Sequence, residues 1–177
     1  LLCTAKAKGL LVDLLGVSED RIVTVADGET LSLGDLTLEF IHAPWVHWPE
    51  TMLTYLRERR ILFPCDLFGS HLATSTLFVS DPSRVYRGAK RYFAEIMMPF
   101  RSNILKHLER LAAYDIGVIA PSHGPLYDSP RFIMDAYREW VSGPLANKVV
   151  IPYVSMHGST QVLVDRLVSA LADLEIV

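Results

Sequence analysis

"LTLEFIHAPWVHWPETMLTYLRERRILFPCDLFGSH", residues 36–71, is built from short runs of one period. Apolar and polar residues alternate over "LTLEFIHA", "TMLTYL" and "ILFPC", as they do in strands with two unlike faces. "RERR" (57–60) between the last two is a polar hairpin turn. Upstream, "RIVTV" and "ETLSL" continue the pattern, set off by Asp27-Gly28 and Gly34-Asp35, both of which are turn chemistry. The five runs predict an antiparallel meander. A helix over residues 4–15, closing at Gly16, is expected to precede them.

After "DLFGSH" and a loop the period becomes helical. Helices are predicted over 82–97 and 101–113, with Pro82 in a first turn after Asp81 and Pro99 breaking the two apart. "DIGVIAP" (115–121) reads as a short buried strand ending at "SHG", and "PRFIMDAYREWV" as a helix from Pro130. "VSGPLANK" (141–148) has the composition of a linker. "VVIPYV" (149–154) reads as a continuous apolar strand. It leads through "SMHGST" (155–160) into a helix with apolar Val162, Leu163, Leu167, Leu171 and Leu174. There is no internal repeat.

Composition narrows the function classes. The chain has 177 residues, half of them hydrophobic, with mean hydropathy +0.25, so it can bury a core. The net charge is -3 and no basic block occurs, which leaves no electrostatic footprint for nucleic acid or an anionic membrane. No apolar run reaches membrane-spanning length. Cys3 and Cys65 are far apart and form no CxxC, which suits a reducing, cytoplasmic setting. The chain opens at Leu1 in a helical pattern and stops at Val177 in another, so it is expected to be a piece of a longer protein.

Three residues share one placement. His47, Asp66 and His123 each sit where an apolar strand runs out into a loop containing Gly or Pro. Strand ends that present nitrogen and oxygen donors to one point are a way to build a metal site on rigid elements. The three are too far apart in sequence to form a local motif and must converge through the fold. Half-buried structural histidines are the alternative reading. His71, closing "DLFGSH", is a candidate hydrogen-bond partner behind such ligands. Strand alternation turns Cys65 away from any site that Asp66 faces. His42 reads as structural. His107 opens "HLERLA" on a helix, where residues two apart do not face each other, and reads as a surface histidine. "SMHGST" places hydroxyls and backbone N–H groups at a helix start, which either binds a phosphate monoester or simply caps the helix.

Taken together, these segments resemble the flavodiiron proteins (A-type flavoproteins). "HWPETM" (47–52) is similar to that family's H-W-P-D/E-S/T-M segment. "ILFPCDLFGSH" (61–71) resembles L-F-x-x-D-x-F-G-x-H, and "APSHGP" (120–125) resembles A-P-S-H-G-P. "VSMHGST" (154–160) is similar to the family's flavin-phosphate loop, and "YFAEIMMPF" (92–100) also fits. The order matches along nearly the whole chain. The resemblance implies an α/β chain: residues 1–144 as the C-terminal part of a metallo-β-lactamase-like αββα diiron domain, incomplete at its N-terminus, and 145–177 as the first β-α unit of a flavodoxin-like doubly wound FMN domain.

By the same resemblance, His47 and His123 would each ligate one of two non-haem irons and Asp66 would bridge them, since a carboxylate has an oxygen for each ion. Ser155, Met156, His157, Gly158, Ser159 and Thr160 would form the FMN-phosphate loop, with His157 where the family has an aromatic residue. The implied activity is reduction of dioxygen or nitric oxide with electrons passed through FMN from a rubredoxin-like or other donor, in a head-to-tail homodimer. The family's upstream H-x-E-x-D-H motif does not occur here. Two rivals remain at this point: a zinc hydrolase of the wider metallo-β-lactamase superfamily, and a flavin or electron-transfer module without metal chemistry.

Overall fold

A two-residue strand, β1 (Leu2–Cys3), opens the chain and leads into α1 (Ala5–Leu15). Thr4 caps α1 by accepting from Ala7 N–H at 3.1 Å, and Gly16, in the left-handed region at φ 62°, closes it. The next strand, β2 (Val23–Thr24), pairs in parallel with β1. "RIVTV" therefore does not join the meander predicted for it. Its amides go instead to the chain start, Val23 N–H to Leu1 O and Val25 N–H to Cys3 O. A helix between two runs returns the chain in the same direction, so parallel pairing follows.

The meander itself forms from the other four runs. Strands β3 (Thr30–Ser32), β4 (Thr37–His42), β5 (Met52–Leu56) and β6 (Ile61–Phe63) pair antiparallel in sequence order. After β6 come α2 (Pro82–Tyr92), a wide helical turn over Phe93–Met97, a tight one over Met98–Phe100, and α3 (Arg101–Leu111). Asp81 caps α2 through Arg84 N–H, with Pro82 in the first turn, as the sequence predicts. The strand β7 (Val118–Ile119) then returns to lie parallel to β6, completing a five-stranded sheet in the order β3-β4-β5-β6-β7. The helix α4 (Pro130–Ser142) follows.

One face of this sheet carries the core. Ile41, Leu53, Tyr55, Leu62 and Ile119 pack with Val85, Ala89 and Tyr92 of α2, Ile104, Leu108 and Leu111 of α3, and Ile133, Tyr137 and Val141 of α4. Burying a side chain of this size is worth about 1.5–3 kcal/mol relative to exposure. The loops that leave β6 and β7 side by side, after Phe63 and after Ile119, are therefore anchored on the most buried part of the molecule. Among the described residues no helix is long and apolar enough to cross a membrane. Cys3 and Cys65 are free thiols.

The structure, a computed structural model, describes residues 1–144 and 146–176. The chain divides into two compact units, Leu1–Ser142 and Gly143–Val177. The linker reading of 141–148 gives way at its start, where Val141 and Ser142 finish α4. Leu145, where the second domain is expected to begin, lies outside the described residues. In the second unit "VVIPYV" is not a strand. A strand exists only as part of a ladder, and among the described residues no partner runs beside it. Among the described residues the unit's one regular element is α5 (Ser159–Asp173), whose apolar Val162, Leu163 and Leu167 are exposed.

Candidate functional site

The loop after β6 is held by short backbone bonds. Leu67 N–H donates to Pro64 O and Gly69 N–H donates to Asp66 O, both at 3.1 Å. Leu67 and Phe68 are fully buried in the core, which leaves Asp66 on the turn with a side chain 23% exposed. Non-glycine residues with positive φ cluster along these loops: Trp45 at 66°, Cys65 at 54° and Phe68 at 69°. Such backbone persists only where the surroundings enforce it, and it is concentrated at functional sites.

His47 arrives from the long β4–β5 connection. Thr51 ties that loop back by donating its hydroxyl and its N–H to Trp48 O, and Trp45 N–H donates to the same oxygen. The His47 ring lies against Trp48 and Phe100, with centroids 6.0 and 6.4 Å away. His123 arrives from the loop after β7, held by Ser122 N–H to Cys65 O at 2.8 Å. His71 and Tyr92 stand against the His123 ring at 5.2 and 5.9 Å.

The three loops bring His47, Asp66 and His123 together. His47 Nε2 lies 3.3 Å from Asp66 Oδ2, and His123 Nε2 lies 3.3 Å from Asp66 Oδ1. Two donors about 2.1 Å from one ion, at angles between right and tetrahedral, stand about 3.0–3.4 Å apart. Each nitrogen–oxygen pair matches that spacing and is longer than the usual N–H···O bond. No group of three His, Cys, Asp or Glu side chains among the described residues is arranged around one ion. The two His–Asp pairs lie on opposite oxygens of one carboxylate. The chemistry of the donor set would suit two adjacent ions, with His47 and His123 as imidazole donors and Asp66 as the carboxylate between them.

Other predicted residues fall differently. His71 makes its contact with the site through ring edges, against Tyr92 at 4.7 Å as well as His123. Cys65 does not turn away: its sulfur lies 3.8 Å from Asp66 Oδ1. Strand alternation has ended at Pro64, so it no longer governs the two residues that follow. His107 is half-buried rather than on the surface, with Nε2 3.3 Å from Pro44 O, and burial pushes its imidazole below the ordinary value. His42 is structural, with Nε2 3.1 Å from Val25 O. Tyr92 opens the matched segment "YFAEIMMPF" but is not among the predicted site residues. Burial first, and the Asp66 carboxylate second, hold its phenol above the ordinary range, so it stays protonated beside the site.

In the second unit, Ser155, Met156, His157, Gly158, Ser159 and Thr160 surround the start of α5. No side chain caps Gly158, which holds φ 81°, and Ser155 Oγ accepts from Gln161 N–H at 3.3 Å. The exposed hydroxyls of Ser159 and Thr160 at the positive end of a fifteen-residue helix fit a phosphate group.

The sequence model described as ODP family beta lactamase matches residues 2–124. The chain is 37% identical over 175 residues to a nitric oxide reductase of Moorella thermoacetica, covering 96% of this chain and 44% of that protein. Among solved structures, the flavodiiron protein of Giardia intestinalis superposes with TM-score 0.80 at 34% identity, over 90% of this chain and 40% of its own. Rubredoxin oxygen:oxidoreductase from the anaerobe Desulfovibrio gigas also gives 0.80, at 28% identity, over 97% and 45%. The chain thus spans less than half the length of each. Its metallo-β-lactamase-like fold and its matched segments lead to one assignment: the chain belongs to the ODP family of β-lactamase-type domains, in the form carried by the flavodiiron proteins.

Proposed function

We propose that this chain forms part of an oxidoreductase that reduces dioxygen to water, nitric oxide to nitrous oxide, or both, at a non-haem diiron site supplied with electrons through FMN. The observation that carries the reading is the Asp66 carboxylate set between His47 and His123, one oxygen to each. His47 would hold one iron, His123 the other, and Asp66 both. Relatives described as a nitric oxide reductase and as a rubredoxin oxygen:oxidoreductase support the two substrates and a rubredoxin-type donor. Gly143–Val177 is read as the start of a flavodoxin-like domain, with Ser155 to Thr160 around the FMN phosphate. A head-to-tail homodimer would bring the flavin of one subunit to the iron site of the other.

The residues of this chain supply placement. When bound, adjacent irons deliver electrons to a small diatomic as a pair, without releasing a one-electron product. Asp66 fixes the separation of the two positions, and the loop hydrogen bonds of Thr51 and Ser122 fix the imidazoles. Trp48 and Phe100 stand against the His47 ring and Tyr92 against that of His123, which limits how the imidazoles can turn. Tyr92 keeps its proton at neutral pH.

The test uses the complete protein, purified without oxygen and reconstituted with iron and FMN. Two irons and one FMN per chain, with consumption of dioxygen or nitric oxide driven by reduced rubredoxin, are expected. A protein that retains zinc in place of iron and shows no consumption of either gas overturns the proposal.

A further inference from the structure

We infer that Gly69, Ser70 and Gly124 form a backbone clasp that sets His123 against Asp66 before any metal is present, so that these three are positioning residues for the site. The inference rests on the reading in which Asp66 and His123 hold iron. Two rungs join the loops: Ser122 N–H donates to Cys65 O at 2.8 Å and Ser70 N–H donates to His123 O at 3.0 Å. Asp66 lies between the rungs on one loop, and His123 carries the second rung on the other.

Side-chain size closes the clasp. A Cβ on Gly124 would fall 2.2 Å from Ser70 Oγ and 2.9 Å from Ser70 O, and the residue holds φ +87°. Ser70 is fully buried, and its backbone oxygen as well as its hydroxyl lies in the way. A Cβ on Gly69 would meet Asp66 O at 3.0 Å and the His123 Cβ at 3.3 Å. An added carbon at Gly124 collides with Ser70 across the two loops, and one at Gly69 crowds the His123 Cβ. His47 comes from a different loop and has no part in these contacts.

Gly16 provides a control, because it also has positive φ but nothing lies within 4 Å of its Cβ position. In the complete protein, reconstituted with iron-57, Gly124→Ala should weaken the His123-side iron at least about tenfold, the range seen when a residue supporting a ligand is lost. Its Mössbauer spectrum should lose the antiferromagnetically coupled ferric pair while the His47-side iron remains. Ser70→Gly added to Gly124→Ala removes the colliding hydroxymethyl and should restore part of the coupled signal. Gly16→Ala should keep the pair even if it melts at lower temperature. Gly124→Ala with both irons at wild-type affinity and a coupled spectrum overturns the inference. Hydrogen exchange on the wild-type, iron-free protein tests it without any variant. The Ser70 and Ser122 amides should be protected, and protection appearing only after iron is added would show that metal, not the clasp, organises the loops. A wild-type protein with no coupled iron pair at all would refute the proposed function, while the exchange measurement would still decide on the clasp.

Discussion

Asp66 presents a different carboxylate oxygen to each of two histidines, Oδ2 at 3.3 Å from His47 Nε2 and Oδ1 at 3.3 Å from His123 Nε2. Both contacts are longer than the usual N–H···O bond and match the spacing of two donors on one ion. A bridging role for Asp66 fits that division of its oxygens. Asp66→Asn keeps the volume but offers one oxygen and an NH₂ group, which is a donor and a poor ligand. In the complete protein this variant should lose the coupled ferric pair and cut dioxygen or nitric oxide reduction by more than about a hundredfold, beyond the effect of removing a ligand's supporting residue. His47→Asn and His123→Asn should each act chiefly on one iron. Mössbauer spectra separate the cases where total iron content does not. A coupled pair with unchanged turnover in Asp66→Asn would remove the bridge and with it the ligand assignment.

Thr160 tests the second unit. It lies in the first turn of α5, where the N-cap residue Gly158 offers no side chain and Ser155 Oγ takes only the Gln161 N–H. A hydroxyl donating to a phosphate oxygen is a hydrogen bond to a charged group, worth about 1.5–3 kcal/mol, or about tenfold or more in affinity. Thr160→Val keeps the β-branched shape and removes the hydroxyl. The FMN dissociation constant, followed by flavin fluorescence, should therefore rise by about that factor in the variant, while iron content stays at the wild-type level because Thr160 belongs to the other unit. Unchanged flavin retention would leave "SMHGST" as a cap.

The legible parts of the sequence were those whose physics is local. Alternation over residues 29–63 predicts β3 to β6 because the β3–β4 and β5–β6 hairpins are closed by their own short turns, and Asp81-Pro82 predicts the start of α2 through capping alone. What depends on a distant partner was not legible. "RIVTV" has the same period as its neighbours, but its amides are taken by Leu1 and Cys3, a choice made by the path of α1. "VVIPYV" has strand composition without a ladder to join. At the site, His47, Asp66 and His123 stood out because each follows an apolar run into a Gly- or Pro-containing loop. Tyr92 had no such mark. It ends an amphipathic helix, and only the packing of α2 against the loop after β7 brings its ring to His123. Cys65 was misread because alternation was carried one residue past Pro64, where the backbone turns through a positive φ.

Glu39 offers a prediction about stability and pH. On β4 its Oε2 accepts from Arg57 Nε at 2.8 Å, and its Oε1 accepts from the Tyr114 hydroxyl at 2.7 Å, tying the sheet to the segment after α3. Burial raises its carboxyl, but the bonds from Tyr114 and Arg57 outweigh it, and the net position is below the ordinary 4.5. A carboxylate whose folded pKa is depressed binds protons more readily in the unfolded chain, so its contribution is fully present above about pH 4.5 and is lost as pH falls through the lower folded value. Glu39→Gln keeps an acceptor for Tyr114 and removes the charge. It should cost about 1 kcal/mol at neutral pH, a modest figure because half of the Arg57 side chain is in solvent and screens the pair. Urea unfolding at pH 7 and again near pH 3 checks the sign. The gap between wild type and variant should be clear at the higher pH and close at the lower one, and a gap of equal size at both would mean that packing, not the ionised carboxylate, is what Glu39 contributes.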